Sequence, residues 1–267
     1  MSQIGVIVIP ARMASTRFPD KPLAQICGMT MIERVWRIAK AVPSATKVVI
    51  ATDDERLQKF ADGFGAQVMM TSRRCPTGTD RVAEVARALE CPEAIFFSLQ
   101  GDAVLTPPWV VEEIFQAMCL DPTIQIATPA VHLTGEALAA FVASKRTGNS
   151  SGTSVTFNHK GDALYFSKAL IPYNRHEMNP ERPLYRHIGL YAYRFDTLQQ
   201  FNKLPEGPFE ASEQLEQLRA LENGIPVRVV QVDYRGRTHG SVDRPEDVAI
   251  VESIIAKEGE LLHCPRS

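Results

Sequence analysis

Short apolar runs alternate with stretches of helical spacing through the first half of the chain. Runs such as Gly5-Val6-Ile7-Val8-Ile9 and 94–99 have the length and the β-branched or aromatic composition of buried strands. Because helical segments separate them, we expect these strands to be parallel. We predict strands over 5–9, 47–51, 67–70 and 94–99, and helices over 31–42, from Asp54, over 80–89 and over 109–118.

The pattern changes after about Ile124, where strand-like runs follow one another without regular crossover helices. This portion is expected to be more antiparallel, with a polar loop at 145–152. No internal repeat or linker is evident, so we expect a single domain over 1–267, with portions at about 1–125, 126–232 and 233–267. We predict strands over 126–131, 154–157, 163–166, 188–193 and 227–232, and helices over 213–222 and 247–257.

Charge and cysteine content narrow the class of protein. The chain has 29 Lys and Arg against 31 Asp and Glu, a balance that does not favour a partner such as nucleic acid or a membrane surface. Its five cysteines include no C-x-x-C pair, which fits a reducing compartment. With no apolar run of membrane-spanning length, we expect a soluble cytoplasmic protein.

A cationic loop follows the first strand, in "IPARMASTRFPDKP". Arg12, Arg17 and Lys21 cannot sit in a core, and the prolines stop the strand. Loops at the carboxyl ends of parallel strands bind ligands, and small residues let backbone N–H groups approach phosphate oxygens. The loop is neither a P-loop nor a G-x-G-x-x-G fingerprint. Taken alone, basic residues that follow a strand usually form a solvated cationic loop.

Several motifs together resemble one family. The loop is similar to the signature loop of sugar nucleotidyltransferases, and "VVIATDDERL", "MTSRRCPTGTDRVAEVA", "LQGDAVL", "ALYFSKALIPYNR", "YRHIGLYAYR", "LEQLRALENGI" and "SVDRPEDV" follow it in order. This set resembles the 3-deoxy-manno-octulosonate (Kdo) cytidylyltransferase family over nearly the whole chain. The resemblance implies an α/β fold of the Rossmann-like nucleotide-diphospho-sugar transferase type. It would have a mostly parallel central sheet, helices on both faces, and a smaller antiparallel portion for sugar binding and dimerisation.

The resemblance implies transfer of CMP from CTP to the anomeric hydroxyl of an acidic sugar, with release of pyrophosphate. Arg12 and Lys21 would hold the triphosphate, with Ser15 and Arg17 supporting the loop. A glycine in the Thr77–Arg81 turn would permit close approach to the base or ribose, although the turn also reads as an ordinary helix start. The residues assigned to the nucleotide are Pro10, Ala11, Arg12, Ser15, Arg17, Lys21, Thr77, Gly78, Thr79, Asp80, Arg81 and Gln100.

Magnesium is the cofactor that the resemblance implies, with Asp102 and Asp243 as its ligands. Mg²⁺ is usually held by one or two carboxylates plus substrate oxygens. Asp102 ends an apolar strand, where its carboxylate can project into the ligand crevice. Asp243 precedes a helix, so a helix-capping role is its alternative, and Asp247 reads as an ordinary helix-start residue. Arg12, Lys21, Asp102 and Asp243 are the expected catalytic residues.

The acidic-sugar site would draw on the second half of the chain. Structural alternatives remain for two kinds of residue: a strand histidine is ordinarily hydrogen-bonded in a core, and carboxylates are favoured at a helix start. The assigned residues are Gln100, Lys168, His187, Tyr191, Glu210, Glu213 and Gln217. A homodimer formed largely by this portion is also implied.

Three charged positions depart from the family pattern. Ala103 replaces a glutamate, Lys168 an arginine and Ser154 a lysine. Lysine lacks the planar fork with which arginine binds a carboxylate, so recognition of the sugar is affected. Three functions remain open: a Kdo enzyme, an enzyme for another acid sugar (8-amino-Kdo or one like sialic acid), and a catalytically weak nucleotide-binding relative.

Overall fold

A mixed sheet organises the molecule, a computed structural model that describes residues 4–14, 17–148, 151–173 and 183–261. The strands in these ranges are β1 (Gly5–Pro10), β2 (Gln25–Ile26), β3 (Met29–Thr30), β4 (Ala45–Thr52), β5 (Gln67–Met70), β6 (Ile95–Ser98), β7 (Ile126–His132), β8 (Thr153–Phe157), β9 (Ala163–Ser167), β10 (Tyr185–His187), β11 (Tyr191–Arg194) and β12 (Val227–Gln231). The helices are α1 (Met31–Lys40), α2 (Glu55–Asp62), α3 (Gly78–Leu89), α4 (Pro108–Leu120), α5 (Gly135–Arg146), α6 (Phe195–Phe201), α7 (Pro208–Glu213), α8 (Leu218–Glu222) and α9 (Pro245–Glu258).

Strand order joins a parallel half to an antiparallel half. The strands β5, β4, β1 and β6 are neighbours in that order, and all three pairs are parallel. The sheet continues through β11, β7, β10, β8 and β9 in antiparallel pairs, while β12 pairs with β7 in parallel. The expected α/β fold, with its mostly parallel centre and antiparallel second portion, is confirmed.

Helices cover both faces of this sheet. Successive side chains of β1 point to opposite faces, and both sets are buried. Ile7 and Ile9 belong to a core that includes residues of α1, α2, α4 and α9. Val6 and Val8 belong to the opposite core, with residues of α3, α6 and α8. Burial on both faces explains why the strand is a continuous apolar run.

The prediction of one strand over 188–193 is wrong. The chain bends at Ile188–Leu190, where the Leu190 amide donates to the Ile188 carbonyl oxygen over 2.7 Å. β10 precedes this bend and pairs with β7 and β8, whereas β11 follows it and pairs with β6 and β7. Ile188 and Leu190 are buried even so, because the bend itself lies in the core. The apolar run at 188–193 is therefore not one continuous strand.

The prediction of one helix over 213–222 is also wrong. α7 ends at Glu213, and the next residue, Gln214, has a left-handed backbone with φ of 53°. Its amide donates to the Glu210 carbonyl oxygen over 2.7 Å, which closes the helix. The helical pattern resumes only at Leu218. Non-glycine residues adopt this conformation rarely, so the composition gave no warning of the break.

A helix precedes the predicted polar loop, which was placed too early at 145. α5 runs to Arg146, and its Leu138, Phe141 and Val142 pack with Leu133 and Leu184. The spacing of Leu138, Phe141 and Val142 is that of one helix face, so the sequence contained a signal for this helix. Residues 149–150 of the loop lie outside the described residues.

In the described ranges, none of the helices combines the length and apolar character that crossing a bilayer requires. Cys27, Cys75, Cys91 and Cys119 are free thiols. The fifth cysteine, Cys264, lies outside the described residues.

Candidate active site

A cavity of about 230 Å³ opens at the carboxyl ends of β1 and β6. Most of the residues assigned to the nucleotide or the metal line it, as expected for a parallel sheet. They are Pro10, Ala11, Arg12, Arg17, Lys21, Thr77, Gly78, Arg81, Gln100, Asp102 and Asp243. Thr79 and Asp80 do not line this cavity, and Ser15 lies outside the described residues.

Lys21 lies between the two carboxylates that were predicted to bind metal. Its Nζ is 2.7 Å from Asp102 Oδ2 and 3.7 Å from Asp243 Oδ1. Arg17 reaches Asp243 more loosely, at 3.9 Å. Residues separated by more than 200 positions are thus collected into one charged cluster, and the lysine ties its two carboxylates together.

Local turns aim these three side chains. Lys21 begins a single 3₁₀ turn after Asp20, whose backbone is left-handed. Asp102 follows β6 in a turn in which the Ala103 amide donates to the Gln100 carbonyl oxygen. The Val242 amide then donates to the Asp102 carbonyl oxygen over 3.4 Å, which brings the chain before α9 to the cavity.

Asp247 performs the helix capping that was the alternative role for Asp243. Its Oδ2 accepts from the backbone amides of Asp243 and Arg244, each over 2.8 Å. The Asp243 carboxylate is therefore left to face Lys21 and Arg17. Asp247 is thus the helix-start residue that the sequence predicts, and the role of Asp243 as a metal ligand stays a prediction.

The donor set at this cluster fits a divalent cation. Among the described residues no three or more His, Cys, Asp or Glu side chains are grouped to hold a metal. Two carboxylates are nevertheless enough for Mg²⁺, which retains waters and takes further oxygens from phosphates. Asp102 and Asp243 both contact one cation, Lys21 Nζ, and so already share a site of positive charge.

The turn before α3 forms a wall of the first cavity. Thr77 and Asp80 make a capping box: the Thr77 hydroxyl accepts from the Asp80 amide over 3.2 Å, and Asp80 Oδ2 accepts from the Thr77 amide over 2.9 Å. A Cβ at Gly78 would lie 3.2 Å from the Pro10 ring and 3.4 Å from Gln100 Oε1. Glycine therefore allows this turn to approach β1 closely.

Arg81 stabilises the same wall from behind. Its guanidinium pairs with Asp53 over 3.0 Å and donates to Thr71 Oγ1 over 2.7 Å, and its side chain is buried. Cys75, a cavity residue that was not predicted, lies nearby. Burial and the Glu84 carboxylate raise the pKa of the Cys75 thiol to about 11, so it stays protonated at neutral pH.

A second cavity, of about 430 Å³, shares Asp243 with the first. His187, Tyr191 and Gln217, which were assigned to the sugar, line it. Gln100 lines the first cavity instead. Lys168, Glu210 and Glu213 are not lining residues of either cavity.

Glu210 and Glu213 have partners within the protein. The Glu210 carboxylate is buried and accepts from Arg219 Nε over 2.7 Å, which joins α7 to α8. Glu213 accepts from the Ser167 hydroxyl over 2.6 Å and from the Lys168 amide over 2.9 Å. Both carboxylates fix the short helices beside the second cavity.

His187 is a buried, neutral wall of the second cavity. Its Nε2 lies 2.8 Å from Thr128 Oγ1, and its ring packs between those of Phe166 and Tyr191. Burial, and to a smaller extent the nearby His239, lower the pKa of His187 to about 3. The pKa of the Tyr191 phenol is raised, mainly by burial. Both groups are therefore uncharged at neutral pH and can hydrogen-bond neutral hydroxyls.

Glu216 connects the two cavities. It lines the second cavity, and its Oε2 accepts from Thr79 Oγ1 over 2.6 Å, so it touches the first turn of α3. Burial raises the pKa of this carboxyl, and the hydrogen bond from Thr79 opposes that rise. Glu216 was not predicted to line the site, and neither were Arg186, Gln214, His239 and Ser241. Arg186 and Glu216 lie in the recognised motifs, each next to an assigned residue, and this was the available signal.

The three departures from the family pattern have different surroundings. Ala103 is buried directly after Asp102, and Lys168 follows β9 near Glu213. Ser154 is fully buried on β8, opposite Arg186 of β10 in the strand register. Its hydroxyl oxygen has no hydrogen-bond partner in the described structure.

Comparisons with known proteins bear on this arrangement. The profile of a family described as cytidylyltransferase matches residues 6–231. A 3-deoxy-manno-octulosonate cytidylyltransferase of Maricaulis maris is 52% identical over 96% of this chain and 98% of that relative. A mitochondrial 3-deoxy-manno-octulosonate cytidylyltransferase of Arabidopsis thaliana is 36% identical, over 93% of this chain and 82% of that relative.

Solved structures agree with these relatives. A CMP:2-keto-3-deoxy-manno-octonic acid synthetase complexed with CTP superposes with a TM-score of 0.85 and 38% identity, over 96% of this chain and 99% of that one. A 4-diphosphocytidyl-2C-methyl-D-erythritol synthase, at 12% identity and a TM-score of 0.61, shares the fold. Sequence identity over almost the full length and the matching fold together show that this chain belongs to the 3-deoxy-manno-octulosonate cytidylyltransferase family.

Proposed function

We propose that this protein transfers CMP from CTP to the anomeric hydroxyl of Kdo and releases pyrophosphate. One observation carries the proposal: two cavities meet at Asp243, where Lys21 lies between Asp102 and Asp243. A transfer between two substrates needs a site for each and a charged junction at which phosphorus and hydroxyl meet. The relatives' names support CTP and Kdo as the two substrates.

The first cavity is the proposed CTP site. Arg12, Arg17 and Lys21 line it and supply positive charge for the triphosphate. The turn at Thr77 and Gly78, together with Gln100, forms the wall that would meet the cytidine. Such a reaction depends on positioning and on neutralising charge at the departing pyrophosphate. Lys21 is the proposed residue for that neutralisation.

Asp102 and Asp243 are the proposed ligands of Mg²⁺. When bound there, the ion would neutralise charge on the phosphate oxygens. Lys21 Nζ now balances the two carboxylates, so binding of metal and triphosphate would let the lysine turn to phosphate oxygens. The charges of the cluster are therefore paired both before and after metal and triphosphate bind.

The second cavity is the proposed Kdo site. His187, Tyr191 and Gln217 line it, and the first two are neutral groups suited to sugar hydroxyls. Glu216 also touches the first turn of α3, so the two substrates would be held by connected elements. A cytoplasmic location, where CTP is made, and a homodimer complete the proposal.

The test is pyrophosphate release from CTP and Mg²⁺ with Kdo, 8-amino-Kdo and sialic acid supplied separately. We expect release with Kdo, and loss of release in Lys21→Ala because the triphosphate loses its central cation. Lys59→Ala, at an exposed position on α2, is the matched control and should behave as the wild type.

The alternative outcomes distinguish the other two functions. Pyrophosphate release with 8-amino-Kdo or sialic acid but not with Kdo would show that the sugar substrate is a different one, while the proposed reaction would stand. Binding of CTP without release in the presence of any of the three sugars would indicate a nucleotide-binding relative and contradict the proposal.

A further inference from the structure

Arg186 lines the second cavity and has no ion-pair partner among the residues that the structure describes. It lies on β10, with its guanidinium carbon 5.9 Å from the centre of the Phe141 ring. Its Nε is buried and has no hydrogen-bond partner in the described structure. Within the described ranges no carboxylate forms an ion pair with Arg186, and burial lowers the pKa of its guanidinium. A charge in this position is costly until an anion pairs with it.

In the described structure, neither carboxylate that lines the same cavity forms an ion pair with Arg186. Lys145 is a second cation nearby, and its Nζ donates to the Gly152 carbonyl oxygen over 2.6 Å. These two carboxylates, Glu216 and Asp243, have other partners: Glu216 Oε2 accepts from Thr79, Glu216 Oε1 lies 3.9 Å from Arg219 Nη2, and Asp243 faces Lys21. The cavity wall at Arg186 therefore favours an anionic ligand.

His239 supplies an unused polar atom beside Arg186. Its Nδ1 is buried without a partner in the described structure, and its ring packs edge-on against Tyr234. Burial, and then the charge of Arg186, lower the pKa of His239 to about 3. The imidazole is therefore neutral and can donate a hydrogen bond to a hydroxyl or accept one from it. Gln217 Nε2 is a further buried donor without a described partner on this cavity.

We propose that Arg186 binds the carboxylate of the acid sugar and that His239 binds a sugar hydroxyl beside it. The inference rests on the proposed function, because it concerns the second substrate of that reaction. Its basis is the juxtaposition of three buried nitrogen atoms without a hydrogen-bond partner in the described structure, Arg186 Nε, His239 Nδ1 and Gln217 Nε2, on a cavity that reaches Asp243. The planar fork of arginine matches a carboxylate with two parallel hydrogen bonds. Arg186 would thereby select acid sugars against neutral ones.

The experiment compares Kdo with Kdo whose carboxylate is converted to the primary amide. Pyrophosphate release is measured at saturating CTP and Mg²⁺, which gives the KM for Kdo and the inhibition constant of the amide. In the wild type the acid should be preferred over the amide by about 10- to 100-fold, the usual range for a charged hydrogen bond. In Arg186→Met the KM for Kdo should rise, and the preference for the acid over the amide should disappear. The KM for CTP should not change.

Two further variants separate the roles. His239→Ala should weaken acid and amide equally, because it removes a contact to a hydroxyl rather than to the carboxylate. Arg87→Met, on the exposed surface of α3, is the matched control and should keep the wild-type preference. Stabilisation by CTP against heat shows that each variant is folded. If Arg186→Met fails that test, Arg186→Lys replaces it, and loss of the fork should still reduce the preference.

A preserved preference for the acid in Arg186→Met or Arg186→Lys would overturn the role of Arg186. An equal loss of acid and amide in those variants would overturn it too, because a merely structural role predicts that result. An unchanged KM in His239→Ala would overturn the role of His239. If wild type and Arg87→Met release no pyrophosphate with Kdo, the proposed function itself fails, and this outcome is distinct from the others.

Discussion

At the scale of single residues, the charged cluster has one feature of chemical interest: a lysine occupies the space between two carboxylates. Lys21 Nζ contacts Asp102 at 2.7 Å and Asp243 at 3.7 Å. A compact ammonium on a flexible stem can move from carboxylates to phosphates without losing a partner. The cluster can therefore keep its charges paired before and after the substrates bind.

Replacing Asp102 tests its role as a metal ligand. Asp102→Asn should lower kcat for pyrophosphate release by about 100-fold or more, because a neutral amide neither balances Lys21 nor binds Mg²⁺ strongly. Asp62→Asn, at an exposed position on α2, is the control and should leave kcat unchanged. Near-normal turnover in Asp102→Asn over a Mg²⁺ titration would show that the metal lies elsewhere.

Buried His187 should make stability depend on pH. In the unfolded chain His187 takes up a proton near its ordinary pKa of 6.5, whereas in the folded protein its pKa is lowered to about 3. Between these values the unfolded state binds more protons, so the free energy of unfolding falls as the pH falls. The slope is at most about 1.4 kcal/mol per pH unit for each such histidine.

Urea unfolding at pH 7, 6 and 5 measures this slope. His187→Gln should flatten it, because the group that takes up the proton on unfolding is gone. His159→Gln, at an exposed turn, should not change it. An equal slope in wild type and His187→Gln would mean that His187 is protonated in the folded protein.

At the scale of elements, two short helices depend on a buried ion pair. α7 and α8 are separated by the left-handed Gln214, and Glu210 joins them through Arg219. The guanidinium of Arg219 also lies 5.1 Å from the centre of the Phe201 ring. Helices of this length are not stable alone, so tertiary contacts must hold them.

Replacing Glu210 separates a structural role from sugar binding. Glu210→Gln should lower the free energy of unfolding by about 3 kcal/mol, because it removes the carboxylate that pairs closely with Arg219 and leaves only the 3.9 Å contact with Glu216. The KM for the sugar should change little, since Glu210 does not line the second cavity. Glu206→Gln, at an exposed position, is the control. Unchanged stability with a raised KM would instead place Glu210 in the sugar site.

At the scale of the whole molecule, the antiparallel half presents an apolar edge. β9 ends the described strand order, and Leu164 on it is 62% exposed. Phe209, 55% exposed, packs edge-on against Tyr165 of the same strand. Exposed edge strands with apolar side chains pair readily with another chain. This face is the one we expect to form the homodimer.

Leu164→Glu should convert a dimer into a monomer, because a charge would be buried against the partner. Sedimentation at micromolar concentration measures the change. Met70→Glu is the control, since Met70 is 44% exposed on β5, at the opposite end of the strand order from β9. A monomeric wild type, or a dimer that persists in Leu164→Glu, would contradict the prediction.

The sequence by itself determined the parallel half of the fold and the placement of Lys21 and Asp102 just after its strands. Strands buried on both faces are continuous apolar runs, and their carboxyl ends meet at one edge. The positions of Lys21 and Asp102 relative to β1 and β6 therefore followed from local pattern. The family motifs added Asp243 and the residues expected to bind the sugar.

Only the tertiary structure decided the rest, because long-range contacts override local pattern. The bend at Ile188–Leu190 and the break at Gln214 are set by strand pairing and by a backbone conformation, and no apolar period encodes either. The partners of Glu210, and the lack of a described hydrogen-bond partner for Arg186 Nε, depend on which side chains come together in space. A sequence shows which residues carry charge, but only the fold shows which charges are paired and which remain for a ligand.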